Sequence, residues 1–264
     1  MLKAEVAGAD AGASSRRRQA ARERAAREVA ERAMKARDVL KGLEAERARR
    51  LKTHREDEKK KSEPSASLTD PEARRMRFAD GAVRAGYNAQ IAADARAGII
   101  VAIEMTDRRN DAGLAAPSLP PRRRGVDDLV RRYGVPPKRL LVDTNYATAA
   151  DIAALAEHPK GPVMVFAPPP AEREDVKPVT LARRAKERAR EPDAVRAWRA
   201  RMATQDGEMT YRRRMLIERI NADRKNHGFG AILVRGLRKV QAVALWHALA
   251  HNLIAAHRLR AAVA

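Results

Sequence analysis

Tyr211, Arg214, Glu218 and Lys225 stand at a spacing of Tyr-x2-Arg-x3-Glu-x6-Lys. On an α-helix, which turns roughly 100° per residue, all four fall within an arc of about 60°. One helical face would then carry a carboxylate flanked by two cations and a phenol. A carboxylate oxygen is a ligand for hard divalent cations. Guanidinium and ammonium groups are the side chains that grip phosphate. The face therefore suits metal-assisted chemistry on a phosphodiester. The plainer reading of Glu218 is a solvated ion pair with Arg214, one turn before it.

Asp143 is the second carboxylate singled out by position. It closes the apolar run Arg139-Leu-Leu-Val-Asp143. Open α/β sheets place functional groups at such strand ends. The plainer reading is a turn or cap residue. Carboxylates converging from a strand and a helix can hold Mg²⁺ or Mn²⁺. Two such ions, about 3.5–4 Å apart, activate the attacking oxygen and stabilise the leaving oxygen in phosphodiester cleavage. Mg²⁺ keeps several waters and takes few protein carboxylates, so two or three acids suffice.

The rest of the chain must position these groups. Residues 15–62 are rich in Arg, Ala, Glu and Lys and contain no proline. Thinly spaced Val29, Leu40, Leu43 and Leu51 predict a long, mostly solvated helix or a helical hairpin. Glu23 with Arg27 and Glu28 with Arg32 add i, i+4 pairs. Ser62-Glu-Pro-Ser-Ala-Ser ends it. Tyr87–Ala93 and Ile99–Ile103 read as a hairpin turned through Asp94–Gly98. Asp111 could cap a helix running to Tyr133, although Pro117, Pro120 and Pro121 oppose it. Ala149–His158 reads as a short helix and Val163–Ala167 as a buried strand. Residues 171–209 look like a basic, proline-punctuated helix pair. Tyr211–Lys225 reads as one helix, stopped by Gly228 and Gly230. Leu237–Arg260 reads as an apolar helix with Val240, Ala244, Trp246, Leu249 and Leu253 available for packing. This order predicts a mixed α/β sheet covered by helices. The implied segments are a basic helical region (1–63), an α/β core (64–168), a linker or insertion (169–210) and C-terminal helices (211–264).

Composition narrows the partner. The 264 residues carry a formal net charge of +21. Such an excess points to a polyanion. Compositional bias toward Arg and Ala is the rival explanation, and the distribution decides against it alone. Residues 1–63 carry 19 basic and 12 acidic residues, 64–168 carry 15 and 12, and 169–264 carry 21 and 10. The two ends are therefore the expected nucleic-acid contacts. The absence of cysteine excludes disulfides and thiolate metal sites. The longest apolar run, Val240–Ala256, is interrupted by His247, His251 and Asn252, so no membrane span is expected. With no signal-peptide pattern, a cytoplasmic bacterial protein is the default. Aromatic residues are only 3% of the chain, so stacking on exposed bases is not expected to dominate binding.

The Tyr-Arg-Glu-Lys spacing resembles the "YREK" signature of DDE transposases from bacterial insertion sequences. Thr69-Asp-Pro-Glu-Ala-Arg, Phe78-Ala-Asp-Gly and Gly86-Tyr-Asn-Ala-Gln resemble the stretch that opens that family's second strand. Leu141-Val-Asp-Thr-Asn-Tyr146 resembles its second-aspartate block. Val234-Arg-Gly-Leu and Ala244-Leu-Trp-His-Ala-Leu-Ala-His-Asn-Leu253 resemble its C-terminal helix. The resemblance covers roughly residue 64 to the end. It implies an RNase H-like core whose helical insertion corresponds to residues 15–62. It also implies Asp143 and Glu218 as second and third metal-binding acids, and Tyr211, Arg214 and Lys225 as contacts to transposon-end double-stranded DNA. The active form would be a homo-oligomer associated with the nucleoid.

The chain departs from this pattern in three places. The expected first aspartate falls near Lys3, which implies a truncated copy lacking its first acid. Asp10, the one early aspartate, sits in an Ala/Gly run, and Asp70 and Asp80 read as loop or cap residues. Pro117–Gly125 interrupts an expected helix. Thr-Asn follows Asp143 where small residues are usual. His247 and His251 have the i, i+4 spacing of a metal pair but read more simply as packed or surface histidines. Trp198 and Trp246 read as packing residues. Two other functions fit the charge: a non-catalytic DNA-binding inhibitor of transposition, and a basic coiled-coil RNA- or ribosome-binding protein working through residues 15–62.

Overall fold

A computed structural model describes residues 2–78, 80–109, 125–144, 146, 148–170, 178–230 and 232–262, with side chains from residue 15 onward except Glu58. The proposed cap at Asp111 and the prolines at 117, 120 and 121 lie outside the described residues. The chain divides into two compact units that interleave along the sequence. One comprises Met1–Asn88, Thr106–Arg109 and Leu233–Val240. The other comprises Ala89–Met105, Asn110–Ile232 and Gln241–Ala264.

The first unit begins with a 52-residue helix, α1 (Leu2–Thr53), followed by the short α2 (Arg55–Lys59). The single-helix form of the expectation holds, and the helix starts well before residue 15. Glu23–Arg27 and Glu28–Arg32 pair at 3.8 and 3.7 Å. Arg32, Ala36, Val39, Leu40, Leu43, Glu46 and Arg47 withdraw from solvent in steps of three and four, which is one helical stripe. The other faces are exposed, Val29 included.

Strands β1 (Arg74–Arg77) and β2 (Val83–Gly86) form an antiparallel hairpin, Arg74 opposite Gly86 and Arg77 opposite Val83. The sequence gives little sign of it, because Arg-Arg-Met-Arg has too few apolar residues to show an alternation. At the turn Asp80 accepts from the Ala82 N–H at 3.0 Å and from Arg84 at 2.7 Å. Asp80 is thus a turn-capping residue, as expected. Its carboxyl is held below the usual range, chiefly by the Arg84 hydrogen bond.

Asp70 also has a structural task. It accepts from the Tyr87 hydroxyl at 2.9 and 3.0 Å and from the Gly236 N–H at 3.1 Å. Glu72 accepts from the Leu237 N–H at 2.6 Å. The two carboxylates satisfy N–H groups entering α9 (Leu237–Ala261), where the helix dipole favours negative charge. Three stretches that share one resemblance, at 69–72, 86–90 and 234–237, therefore meet in one hydrogen-bonded network.

In the second unit β3 (Asn88–Ala93) and β4 (Ile100–Thr106) pair across a short turn. So short a connection permits only an antiparallel hairpin. Asp94 closes it, accepting N–H groups of Arg96 and Ala97. The remaining edge of β4 is taken by side chains of α9. Gln241 accepts from the Met105 N–H at 2.7 Å and donates to the Ile103 carbonyl at 3.0 Å. Asn252 does the same for the N–H and carbonyl of Ile100, both at 2.8 Å. Two amide side chains so stand in for part of a neighbouring strand along β4.

The core is built on β5 (Arg139–Leu141) and β6 (Met164–Phe166), a parallel pair with Arg139 opposite Met164. Helices α3 (Val126–Tyr133), α4 (Ala149–Ala156) and α6 (Asp193–Met202) supply its other residues. Val126, Val142, Ile152, Leu155, Val165, Val195 and Trp198 pack together there. α5 (Pro178–Ala189) precedes α6 and contributes no buried residue. Where the sequence suggested one mixed sheet, the described strands pair two by two. The side-chain caps on β4 give a physical reason, since they occupy the edge on which a further strand would add.

The tryptophans divide. Trp198 is 5% exposed and donates its indole N–H to the Ala167 carbonyl at 3.1 Å, as a packed residue should. Trp246 is 71% exposed, and Leu249 and Leu253 are also exposed, so the packing expected of these three is not observed. On α9 it is Val240, Ala244 and Ala248 that are buried.

Candidate active site

Asp143 lies two residues beyond β5. The Val142 N–H still bonds the Phe166 carbonyl at 3.0 Å, so the chain leaves the β-ladder only at Asp143. A turn follows, closed by the Tyr146 N–H on the Asp143 carbonyl at 2.9 Å. The Tyr146 hydroxyl reaches Gln90 on β3 at 2.5 Å, and its ring packs against the core. Thr148 and Asp151 then form a capping box that starts α4. The loop bearing Asp143 is thus fixed at both ends, while its carboxylate remains exposed. Gln90 and Tyr146 each end a stretch that carries the resemblance, but nothing in their spacing marks them as partners.

The helix expected over Tyr211–Lys225 is not continuous. α7 (Gln205–Arg212) and α8 (Met215–Arg224) are joined by a tighter turn. Arg213, Arg214, Leu216 and Ile217 each bond the carbonyl three residues back, which is 3₁₀ geometry. Lys225–Phe229 then form a π-turn, with Gly228 at φ +84° ending the helix as expected. The regular helical step is therefore broken between Tyr211 and Met215, while Glu218 and Lys225 stay in one run of αR backbone. Tyr211 closes α7, Arg214 occupies the joint, Glu218 stands on α8 and Lys225 opens the π-turn.

The joint has a visible consequence. Arg214 donates through one terminal nitrogen to Asp143 Oδ2 at 2.6 Å and through the other to Glu218 Oε1 at 2.9 Å. Arg214 and Asp143 are 71 positions apart in sequence. One guanidinium therefore spans the acid at the strand tip and the acid on the helix. These two ion pairs explain why tertiary contact overrides a regular helix through an arginine-rich run that contains no glycine or proline. Tyr211 belongs to the same group. Its hydroxyl pKa is raised, first by burial and then by the charges of Asp143 and Glu218, with Arg214 opposing. Lys225 is exposed on its turn and takes part in none of the hydrogen bonds or ion pairs described for this cluster.

The donor set suits a hard divalent cation. Two carboxylates lie within one guanidinium's span, and Mg²⁺ sites commonly use one or two carboxylates with water and substrate phosphate. A guanidinium sits between them. Among the described residues no cluster of three or more Asp, Glu, His or Cys could hold a metal. Asp10 falls within α1. His247 packs edge-on against Phe229, with ring centroids 5.0 Å apart. His251 donates to the Gly98 carbonyl at 2.9 Å. Both histidines are accounted for by packing and backbone contacts.

A family model described as a transposase DDE domain matches residues 48–253. The chain belongs to the transposase DDE family. The match contains Asp143, Glu218 and all of the YREK-like spacing, and it begins within α1. Searches of curated proteins and of solved structures gave no match. Membership in a transposase family accords with the basic charge of the chain. Among the described residues, no helix is long and apolar enough to cross a membrane.

Proposed function

We propose that this transposase-family chain acts on double-stranded DNA at transposon ends by metal-dependent phosphodiester cleavage and strand transfer. Asp143 and Glu218 would hold Mg²⁺ or Mn²⁺ as the second and third acids of the family's set. When bound, the cation supplies activation of the attacking oxygen and stabilisation of the leaving oxygen. The observation that supports this reading is the Arg214 bridge between the two carboxylates.

The residues around the acids have distinct tasks in this reading. A DNA phosphate offers Arg214 a bidentate partner that competes with the two carboxylates. Transfer of the guanidinium to phosphate frees both acids as the substrate arrives. The raised pKa of Tyr211 keeps its phenol protonated, so it donates a hydrogen bond to phosphate and does not serve as a base. Lys225 provides an exposed point charge along the same strand of DNA. The surrounding α/β unit is read as a divergent RNase H-like core, and the active form as a homo-oligomer with one copy at each transposon end. The setting is the bacterial cytoplasm, with the nucleoid.

Loss of either metal-ligand carboxylate should cripple the chemical step while sparing DNA binding. A nicking and strand-transfer assay with Mg²⁺ or Mn²⁺ on matched transposon ends, beside a gel shift, tests this. Asp143→Ala and Glu218→Ala should each bind DNA but cleave it about a hundredfold less than the wild type. Cleavage that either substitution leaves unchanged would refute the metal-site reading, and absence of DNA binding would refute the whole.

A further inference from the structure

Arg224, the last residue of α8, is 2% exposed. None of its three guanidinium nitrogens has a hydrogen-bond partner among the described residues. The group lies over the Phe229 ring, 4.1 Å from its centroid. That ring in turn meets His247 edge-on. The adjacent Asp223 does not hydrogen-bond to Arg224. Its carboxylate oxygens lie 3.8 Å from His227 and 3.8 Å from His251. Burial accordingly pushes the Arg224 pKa down.

A buried guanidinium with five unused donors is among the costliest arrangements in a protein. Stacking on an aromatic ring recovers part of that cost but satisfies no N–H. An arginine kept only for packing could be a methionine with advantage. The covering segment is also unusual. Lys225, Asn226, His227 and Gly228 are exposed, and His227 and Gly228 have left helical geometry. Gly228, at φ +84° with nothing within 4 Å of an added Cβ, is suited to act as a pivot.

We infer that Arg224 is a DNA-phosphate ligand held in reserve beneath the Lys225–Phe229 turn. This rests on the DNA-binding reading above and adds a contact to it. A phosphate drawn to exposed Lys225 reaches the residue next to Arg224. Opening of the turn then exchanges the Phe229 ring for a phosphate oxygen pair, which satisfies the donors that the closed form leaves unused. The closed form is therefore strained in the direction that DNA relieves.

The test uses the full chain, with Arg224→Met and Arg224→Lys beside the wild type. Thermal melting is measured without DNA, and binding to a short duplex of random sequence is measured across a salt series. Arg224→Met should melt several degrees higher and bind DNA roughly five- to tenfold more weakly. Its log-affinity against log-salt slope should fall by about one phosphate contact. Arg224→Lys should keep the wild-type slope. Arg224→Met that melts lower and binds DNA with unchanged slope would overturn the inference, leaving the DNA-binding reading intact. A wild type that does not bind DNA would remove both. If Arg224→Met does not fold, Phe229→Leu serves, because it deletes the ring and keeps the cation. Lower melting with tighter DNA binding supports the inference, and lower melting with unchanged or weaker binding overturns it.

Discussion

Arg214 makes two carboxylates into one site, yet each of its pairs is partly open to water. Exposed ion pairs contribute little to folding, because solvent screens them and ordering long side chains opposes them. A double-mutant cycle between Arg214→Ala and Asp143→Ala should give a coupling of about 0.5 kcal/mol in urea unfolding. A coupling of several kcal/mol would mean that the pair is structural and would weaken its assignment as a gripping residue. The tyrosines give a pH signature. The Tyr87 and Tyr211 pKa values are both raised in the folded chain, above the ordinary value of 10.0. For Tyr87 the causes are burial first and then the hydrogen bond and charge of Asp70. Above pH 10 the unfolded state loses these protons while the folded state keeps them, so stability is full below that value and falls as pH rises beyond it. Melting temperature measured from pH 8 to 11 should show this decline. Tyr87→Phe should be less stable at neutral pH and should decline less steeply.

At the scale of elements, close contacts separate necessary residues from tolerant ones. A Cβ on Gly207, in the first turn of α7, would stand 2.1 Å from the Arg201 carbonyl oxygen at the end of α6. Gly207→Ala should therefore cost about 1–3 kcal/mol in urea unfolding, and wild-type stability in that variant would contradict the α6–α7 packing. Trp198→Ala should cost about 3–5 kcal/mol, whereas Trp246→Ala should change stability by no more than about 0.5 kcal/mol. The two tryptophans show what a sequence can and cannot disclose. Each lies on a helix, and residue type alone assigns both to packing. Trp198 is buried in the core cluster, where the Ala167 carbonyl just beyond β6 accepts its indole N–H, a fact held by tertiary structure. The strand leading to Asp143 was legible because Leu140, Leu141 and Val142 form an apolar run that stops at a charge. The β1–β2 hairpin was not, because its pairing relies on backbone bonds and a turn beneath arginine-rich strands. The joint at Arg213–Arg214 was equally hidden, since only the distant Asp143 explains it. The pairing of the candidate acids followed from spacing only in outline. The helix phase accounts for Arg214 with Glu218, whereas the contact with Asp143 had no sequence signal.

At the scale of the whole molecule, charge and family membership accord with one class of partner, DNA. A net charge of +21 should make duplex binding fall steeply with salt, with a log–log slope proportional to the phosphates neutralised. Affinity that ignores salt would contradict a DNA-binding role. The chain's family membership supplies the reaction class, but the account turns on whether Asp143 and Glu218 share a cation. Mn²⁺ binding by the wild type, Asp143→Asn, Glu218→Gln and the double variant, titrated with and without duplex DNA, measures this most directly. Each single substitution should weaken the same site by about tenfold or more, and the double should add little, since the second ligand cannot hold the ion alone. Binding that survives either substitution unchanged, or losses that simply add as for two separate sites, would contradict the shared site.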